Sequence, residues 1–333
     1  MHTIDEKQLL TQQTHFQRWL AAADMPPLPQ RLAVAWSGGA DSTALLLALK
    51  LAGFDVHAWH VDHGWRASST HEARQLSARA QSLAIPFRMG RLADAPATNR
   101  EAHARQGRYA LFEAWSRQSG IDTLCLGHHR NDQAETVCMR MLQGAGPGGC
   151  RGMQRERRMG GLRLVRPLLH VPGEQLKHVL RAAGVSWFED PSNRDETLWR
   201  NKIRRRLFPC MARQGVVEPV DLFLRWQQQA VRVDAALDRA AGRLLQAADD
   251  GGFCLWRAWQ TATPAVRARL LQRGVRQLLG DGITPGRRHI ELVEIWTQQG
   301  GRGGIDLSAC RLERRKDRLH LKKAQARFDV SSR

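Results

Sequence analysis

The chain has 333 residues, of which 42% are hydrophobic and 25% charged. That is enough for a large core and for more than one domain, and it excludes a disordered or collagenous chain. The net charge is +19, with basic clusters at "RNKIRRRLF" (200–208) and "RLERRKDRLHLKK" (311–323), so the expected partner is a polyanion, nucleic acid first; an Arg-rich composition serving only solubility is the plain alternative. Residues 1–20, "MHTIDEKQLLTQQTHFQRWL", carry acids and glutamines without an apolar signal core and read as an amphipathic helix. Apolar stretches elsewhere are too short to span a membrane, so no membrane partner is expected.

From residue 31 to about 190 two patterns alternate. Strands are predicted at 31–36 "RLAVAW", 55–62 "DVHAWHVD", 85–92 "IPFRMGRL", 122–129 "DTLCLGHH" and 162–168 "LRLVRPL". Helices are predicted between and after them, at 42–52, 70–84, 99–120, 131–143 and 173–184. Alternating βα units imply an α/β, Rossmann-like parallel sheet covered on both faces, with ligands at the carboxyl ends of the strands. Helical spacing takes over at 220–248 and 262–280, and 304–323 alternates about a polar turn like a basic hairpin. The expected organisation is a catalytic domain over 1–210 and a mainly helical, basic second domain over 211–333. The six cysteines, Cys125, Cys138, Cys150, Cys210, Cys254 and Cys310, form no CxxC pair, which disfavours a cysteine-built zinc or iron–sulfur site and fits a reducing cytoplasm.

The chemistry concentrates where predicted strands end. "SGGADS", residues 37–42, joins a buried strand to a helix. Free N–H groups and the helix dipole favour an anion there. Gly38 and Gly39 permit close backbone approach, and Ser37 and Ser42 add hydroxyls. Asp41 would repel a phosphate unless a divalent cation lay between them, so the turn reads as a site for a Mg2+-bound polyphosphate. A plain βα turn with an Asp or Ser cap is the structural alternative.

"SGGADS" resembles the SGGxDS pyrophosphate loop of the N-type ATP pyrophosphatases. With roughly 7% usage at each of five fixed positions, a chance match in a chain this long is about one in two thousand. The resemblance implies that Ser37, Gly38, Gly39, Ala40, Asp41 and Ser42 hold the β- and γ-phosphates of an ATP that is cleaved to AMP and pyrophosphate. Four further stretches resemble the tRNA(Ile)-lysidine synthetase family. "HVDHGWR" (60–66) is similar to HxDHGLR, with Trp65 replacing Leu, and implies an adenine contact at the strand end carrying His60 and Asp62. His60, Asp62 and His63 lie too close along an extended chain to converge well on a metal. "ARQGRY" (104–109) is similar to ARxxRY; Arg105 and Arg108 share a helix face and are implied to neutralise charge near the α-phosphate. A solvated cationic face is the bland reading.

"HHRNDQAET" (128–136) is similar to HHxDDQAET, with Asn131 at the first acidic position. Asp132 and Glu135 can face one pocket, suited to an ammonium-bearing substrate such as L-lysine, and Asp132 is a second candidate Mg2+ ligand. A helix cap and a first-turn acid are the structural alternatives. "EDPSNRDETLWRNKIR" (189–204) is similar to EDxSNxDxxxxRNxIR and implies tRNA contacts from Asn193, Arg200, Asn201 and Arg204; a capped amphipathic linker helix is the alternative. Together the resemblance covers about residues 31–204. It implies ATP- and Mg2+-dependent modification of a tRNA(Ile) with a CAU anticodon by L-lysine, with Asp41, Arg105, Arg108 and Asp132 as catalytic residues. Longer family members carry a further C-terminal domain that this chain is expected to stop before. Small-molecule adenylation and tRNA binding without catalysis are the rival functions, and the oligomeric state, monomer or homodimer, is open.

Overall fold

The computed structural model describes residues 6–22, 25–62, 69–92, 100–189, 195–245, 252–280, 284–307 and 309–324. His63, Trp65, Asp190, Ser192 and Asn193 lie outside the described residues. Two compact units divide the chain, Met1–Gln227 and Gln228–Arg333; the division falls inside the long helix Pro219–Leu245.

In the first unit, β1 (Arg31–Ala35), β2 (Asp55–Asp62), β3 (Phe87–Arg91), β4 (Thr123–Cys125), β5 (Glu156–Met159) and β6 (Leu162–Val165) form one sheet in the order β3-β2-β1-β4-β6-β5. All neighbours are parallel except β5 and β6. β5 is absent from the predicted strands because its sequence, ERRM, lacks an apolar run. It is a charged edge strand, returned to β6 by the Gly160-Gly161 turn that pairs Met159 with Leu162.

Helix α3 (Ala40–Leu51) follows β1 and is buried on almost every side, nine of its residues from Ala40 to Leu49 being buried. That explains its run of leucines and alanines without a polar face. Leu32, Val34, Leu45, Leu49, Leu176 and Val179 share one core on this side of the sheet. On the opposite side Trp59, Phe112, Trp115, Leu124 and Leu164 form a second core, and Trp59 meets Trp115 edge to face at 5.8 Å. Phe112 and Trp115 come from α5 (Arg100–Ser119). Helices thus cover both faces, as the alternating pattern predicts.

β1 lies between β2 and β4, so the strand order reverses there, and the chain leaves the two sides of the β1/β4 gap in opposite directions. Such a switch point opens a crevice at the carboxyl ends of the strands. α3 starts on one side of it, and α6 (Arg130–Leu142) follows β4 on the other.

The second unit holds β7 (Gly252–Leu255), α11 (Trp256–Thr261), α12 (Pro264–Leu279), α13 (Arg287–Gln298), β8 (Gly304–Leu307), β9 (Cys310–Arg315) and β10 (Arg318–Lys323). The predicted hairpin is β9–β10, but it sits within a four-stranded antiparallel sheet ordered β7-β10-β9-β8. β7 is only four residues long, too short to show a period. Phe253, Trp259, Leu270, Leu312 and Leu319 form this unit's own core. Among the described residues no helix is long and apolar enough to cross a membrane.

Candidate active site

The turn after β1 is held by its own backbone and hydroxyl contacts. Gly38 has φ +82, and a Cβ there would lie 2.6 Å from Phe188 Cδ2 and 2.9 Å from Leu76 Cδ2, so only glycine fits. The Phe188 N–H donates to the Gly38 carbonyl at 2.9 Å. The Ser37 and Ser42 hydroxyls are 3.0 Å apart, and the Ser37 N–H donates to Ser42 Oγ at 3.2 Å. Gly39 caps α3 in extended conformation without a side-chain cap bond, so the first N–H groups of the helix remain available to an anion.

The turn after β4 packs directly on this one. A Cβ at Gly127 would lie 3.0 Å from the Asp41 carbonyl carbon and the Ser42 nitrogen. Gly127 is therefore a residue of the site that none of the motifs marks; its only signal in the sequence is a glycine inside the predicted strand 122–129, just before the two histidines. Beyond it, His129 Nε2 stands 3.7 Å from Asp41 Oδ2 and 3.6 Å from Asp132 Oδ2. The His129 N–H also donates to Asp132 Oδ2 at 3.0 Å. The fold thus brings Asp41 and Asp132, 91 positions apart by their numbers, to one imidazole across the switch point.

Their electrostatics differ. Burial raises the Asp41 carboxyl above its usual value, Asp132 adds to the rise, and His129 opposes it. For Asp132 burial acts upward too but is outweighed by His129, Arg200, His128 and the His129 amide, so its carboxyl is lowered. Burial lowers the His128 imidazole to about 3, leaving it neutral at physiological pH.

Glu135 is 1% exposed and fully engaged. Arg200 Nε donates to its Oε2 at 2.8 Å; Arg204 donates through Nε to Oε1 at 2.6 Å and through Nη2 to Oε2 at 3.0 Å. Arg204 Nη2 also reaches Asp132 Oδ1 at 3.3 Å. Both arginines come from the stretch α8 (Trp199–Lys202) and a π-helical turn, Ile203–Leu207, a widened geometry common at functional positions. Asn201 is turned inward, its Nδ2 donating to the Asp195 carbonyl at 2.7 Å. Asn131, the departure from the acidic pattern, accepts the Gly173 N–H at 3.0 Å; an amide oxygen serves that bond as well as a carboxylate.

A double-mutant cycle tests the acid–arginine network. Glu135→Gln with Arg204→Gln is expected to show a coupling of about 1–3 kcal/mol in denaturant unfolding. The two guanidiniums are 38% and 40% exposed, which keeps the value below that of a fully buried pair. Additive effects would mean that Arg204 is dispensable to Glu135.

The remaining predicted residues are near the sheet end. His60 is buried, with Nδ1 2.9 Å from the Trp36 carbonyl, and burial lowers its pKa. Asp62 is 6% exposed, with Arg91 Nε at 4.0 Å. Arg105 and Arg108 flank Tyr109, their guanidinium carbons 5.8 and 5.7 Å from its ring; Arg108 also contributes to the positive field at His128.

The donors present fit Mg2+ bound with a polyphosphate. Asp41 Oδ1 is buried and accepts no hydrogen bond among the described residues. Among those residues no group of three or more His, Cys, Asp or Glu is arranged to hold a metal; Mg2+ bound with a polyphosphate needs one or two carboxylates, phosphate oxygens and water completing its shell.

A parallel α/β sheet with a glycine turn feeding a helix N-terminus at the switch point defines a nucleotide-dependent domain of the PP-loop class, and the PP-loop domain family matches residues 11–211. The fold is shared with a U34-tRNA thiolase from Methanococcus maripaludis at a TM-score of 0.54 and 14% identity, over 68% of this chain and 81% of that one. A tRNA(Ile)-lysidine synthase of Chlamydia felis is 39% identical over 180 residues, 54% of this chain and 57% of that protein. The chain thus spans little more than half the length of that relative. A tRNA(Ile)-lysidine synthase of Salinispora tropica is 34% identical over 304 residues, 88% of this chain and 91% of the relative. The chain belongs to the tRNA(Ile)-lysidine synthase family within the PP-loop proteins.

Proposed function

We propose that the protein ligates L-lysine to C2 of the wobble cytidine of tRNA(Ile) bearing a CAU anticodon, with ATP cleaved to AMP and pyrophosphate. The observation that carries the reading is the convergence of Asp41, His129 and Asp132 within 3.7 Å beside the open N-terminus of α3. It pairs an anion-binding turn with the carboxylates that a Mg-bound polyphosphate needs.

The reaction divides into two displacements. Cytidine O2 attacks the α-phosphorus of ATP and pyrophosphate leaves. The lysine ε-ammonium gives up a proton to a carboxylate or water, the freed amine attacks C2, and the C2–O2 bond breaks with AMP as the leaving group. Ser37, Gly38, Gly39, Ala40 and Ser42 are assigned to the departing pyrophosphate, and the strand end of His60 and Asp62 to adenine. Arg105 and Arg108 are assigned to the charge that grows at the α-phosphate. Mg2+, held by Asp41 and Asp132, supplies charge neutralisation of the polyphosphate. Asp132 and Glu135 are assigned to the lysine ammonium. Because both Glu135 oxygens already accept guanidinium hydrogen bonds, lysine reaches Glu135 by displacing one of them. Arg200 and Arg204 therefore serve as positioning residues of the acid pair, and Asn193 and Asn201 stay with the tRNA-contacting segment. The target base has to be splayed out of the anticodon loop to enter the crevice.

Incubation with ATP, Mg2+, labelled lysine and this tRNA is expected to give ATP-dependent incorporation of lysine into the RNA. No incorporation, with pyrophosphate released on a small acceptor instead, would overturn the reading in favour of a small-molecule synthetase.

A further inference from the structure

The stretch that places Arg200 and Arg204 on Glu135 presents something different on its other side. Trp199, Lys202, Ile203, Arg206, Leu207 and Cys210, with Leu142 of α6, line a groove of about 420 Å³, within the range of small-ligand pockets, roughly 300–1,000 Å³. Residues 199, 202 and 206 follow one helical stripe while 200 and 204 follow another. Trp199 is 62% exposed and Leu142 60%, an unusual investment of large apolar surface in water. The Lys202 ammonium lies 5.4 Å from the Trp199 ring centre. Arg206, 73% exposed, pairs with Glu196 beside the groove. The groove floor is apolar, and the lining residues Lys202 and Arg206 bring two cations and no acid to its rim.

An exposed indole with cations beside it is the composition that binds single-stranded nucleic acid, the ring stacking on a base and the cations meeting phosphate. An apolar protein helix would cover the ring but make no use of the cations at the groove, which lie against Trp199 and Glu196. We infer that this groove takes an unpaired nucleotide of the tRNA substrate, stacked on Trp199 with its phosphates at Lys202 and Arg206. The inference rests on the tRNA reading above and gives this stretch two opposed roles. Arg200 and Arg204 serve the acid pair, while Trp199, Lys202 and Arg206 serve RNA.

The test uses the full chain and a CAU tRNA(Ile) transcript. Trp199→Ala is expected to weaken tRNA binding roughly 5- to 100-fold at fixed salt. Trp199→Phe should recover most of the loss, because a ring face, not the indole N–H, does the stacking. Lys202→Gln combined with Arg206→Gln should reduce the slope of log Kd against log salt by about one for each phosphate no longer neutralised. Melting temperatures within a few degrees of the parent's would show that the exposed substitutions leave the fold intact. Parent-like affinity in Trp199→Ala overturns the inference and leaves the tRNA reading standing. A parent that does not bind this tRNA overturns both. Unchanged affinity accompanied by loss of a dimer in sedimentation assigns the groove to a protein interface and also overturns the inference.

Discussion

Asp41→Asn is expected to lower lysine incorporation by about 100- to 1,000-fold, the scale on which loss of one key electrostatic group acts, while tRNA affinity survives. The same substitution should leave the ligand-free protein as stable as the parent, or raise its melting temperature slightly at neutral pH. The reason is the direction of the Asp41 shift. A carboxyl raised on folding contributes stability at low pH, and that stability is lost as pH rises through its folded value. At pH 7 the ionised, partly desolvated carboxylate opposes folding until a cation arrives, and an amide removes that opposition. The effect is small because the side chain is 40% exposed and screened by solvent. A marked drop in melting temperature would recast Asp41 as a structural residue. Full activity in the variant would remove the case for a cation at this position. Stability sacrificed at a reactive position is a common arrangement.

Gly127→Ala is expected to cost about 1–3 kcal/mol of stability, the usual range for overpacking, and to weaken ATP binding at least about tenfold. The added methyl would sit 3.0 Å from the Asp41 carbonyl carbon and the Ser42 nitrogen. These are backbone atoms of a helix buried on almost every side, so the contact is relieved by shifting the first turn of α3, which is the anion-binding turn. Gly39→Ala, itself in the turn assigned to pyrophosphate, is the internal control for stability alone. Its Cβ would meet Ser37 Oγ at 3.5 Å, an ordinary contact, and its φ of −72 suits any residue. Thermal unfolding of the two variants compares their packing, and nucleotide titration of Gly127→Ala reads the dependence of one turn on the other. Equal ATP affinity in Gly127→Ala would show that the two turns do not depend on each other.

The α/β class, the order of the first five βα units and the position of the anion-binding turn are legible in the sequence, because each rests on short-range periodicity. Two or three residues set a turn's dihedrals, and ten or so set a helix face. Where the local pattern is weak, the reading fails. The edge strand β5 has no apolar run, and β7 is a four-residue strand completed by pairing with β10.

The alignment of "HHRNDQAET" and "RNKIR" with family patterns identifies residues but not their partners. Only the tertiary structure decides that His129 joins Asp41 to Asp132, that Asn131 serves the Gly173 amide, and that Arg200 and Arg204 turn to Glu135. The physical reason is that a carboxylate only 1% exposed must be compensated by whatever cations the fold brings near, from any distance along the chain. Glu135 receives them from positions 65 and 69 residues away. Local sequence specifies the glycine turn that opens α3. The meeting of β1 and β4 at the switch point specifies which charges stand around it, and so which face of the 199–210 stretch is left exposed.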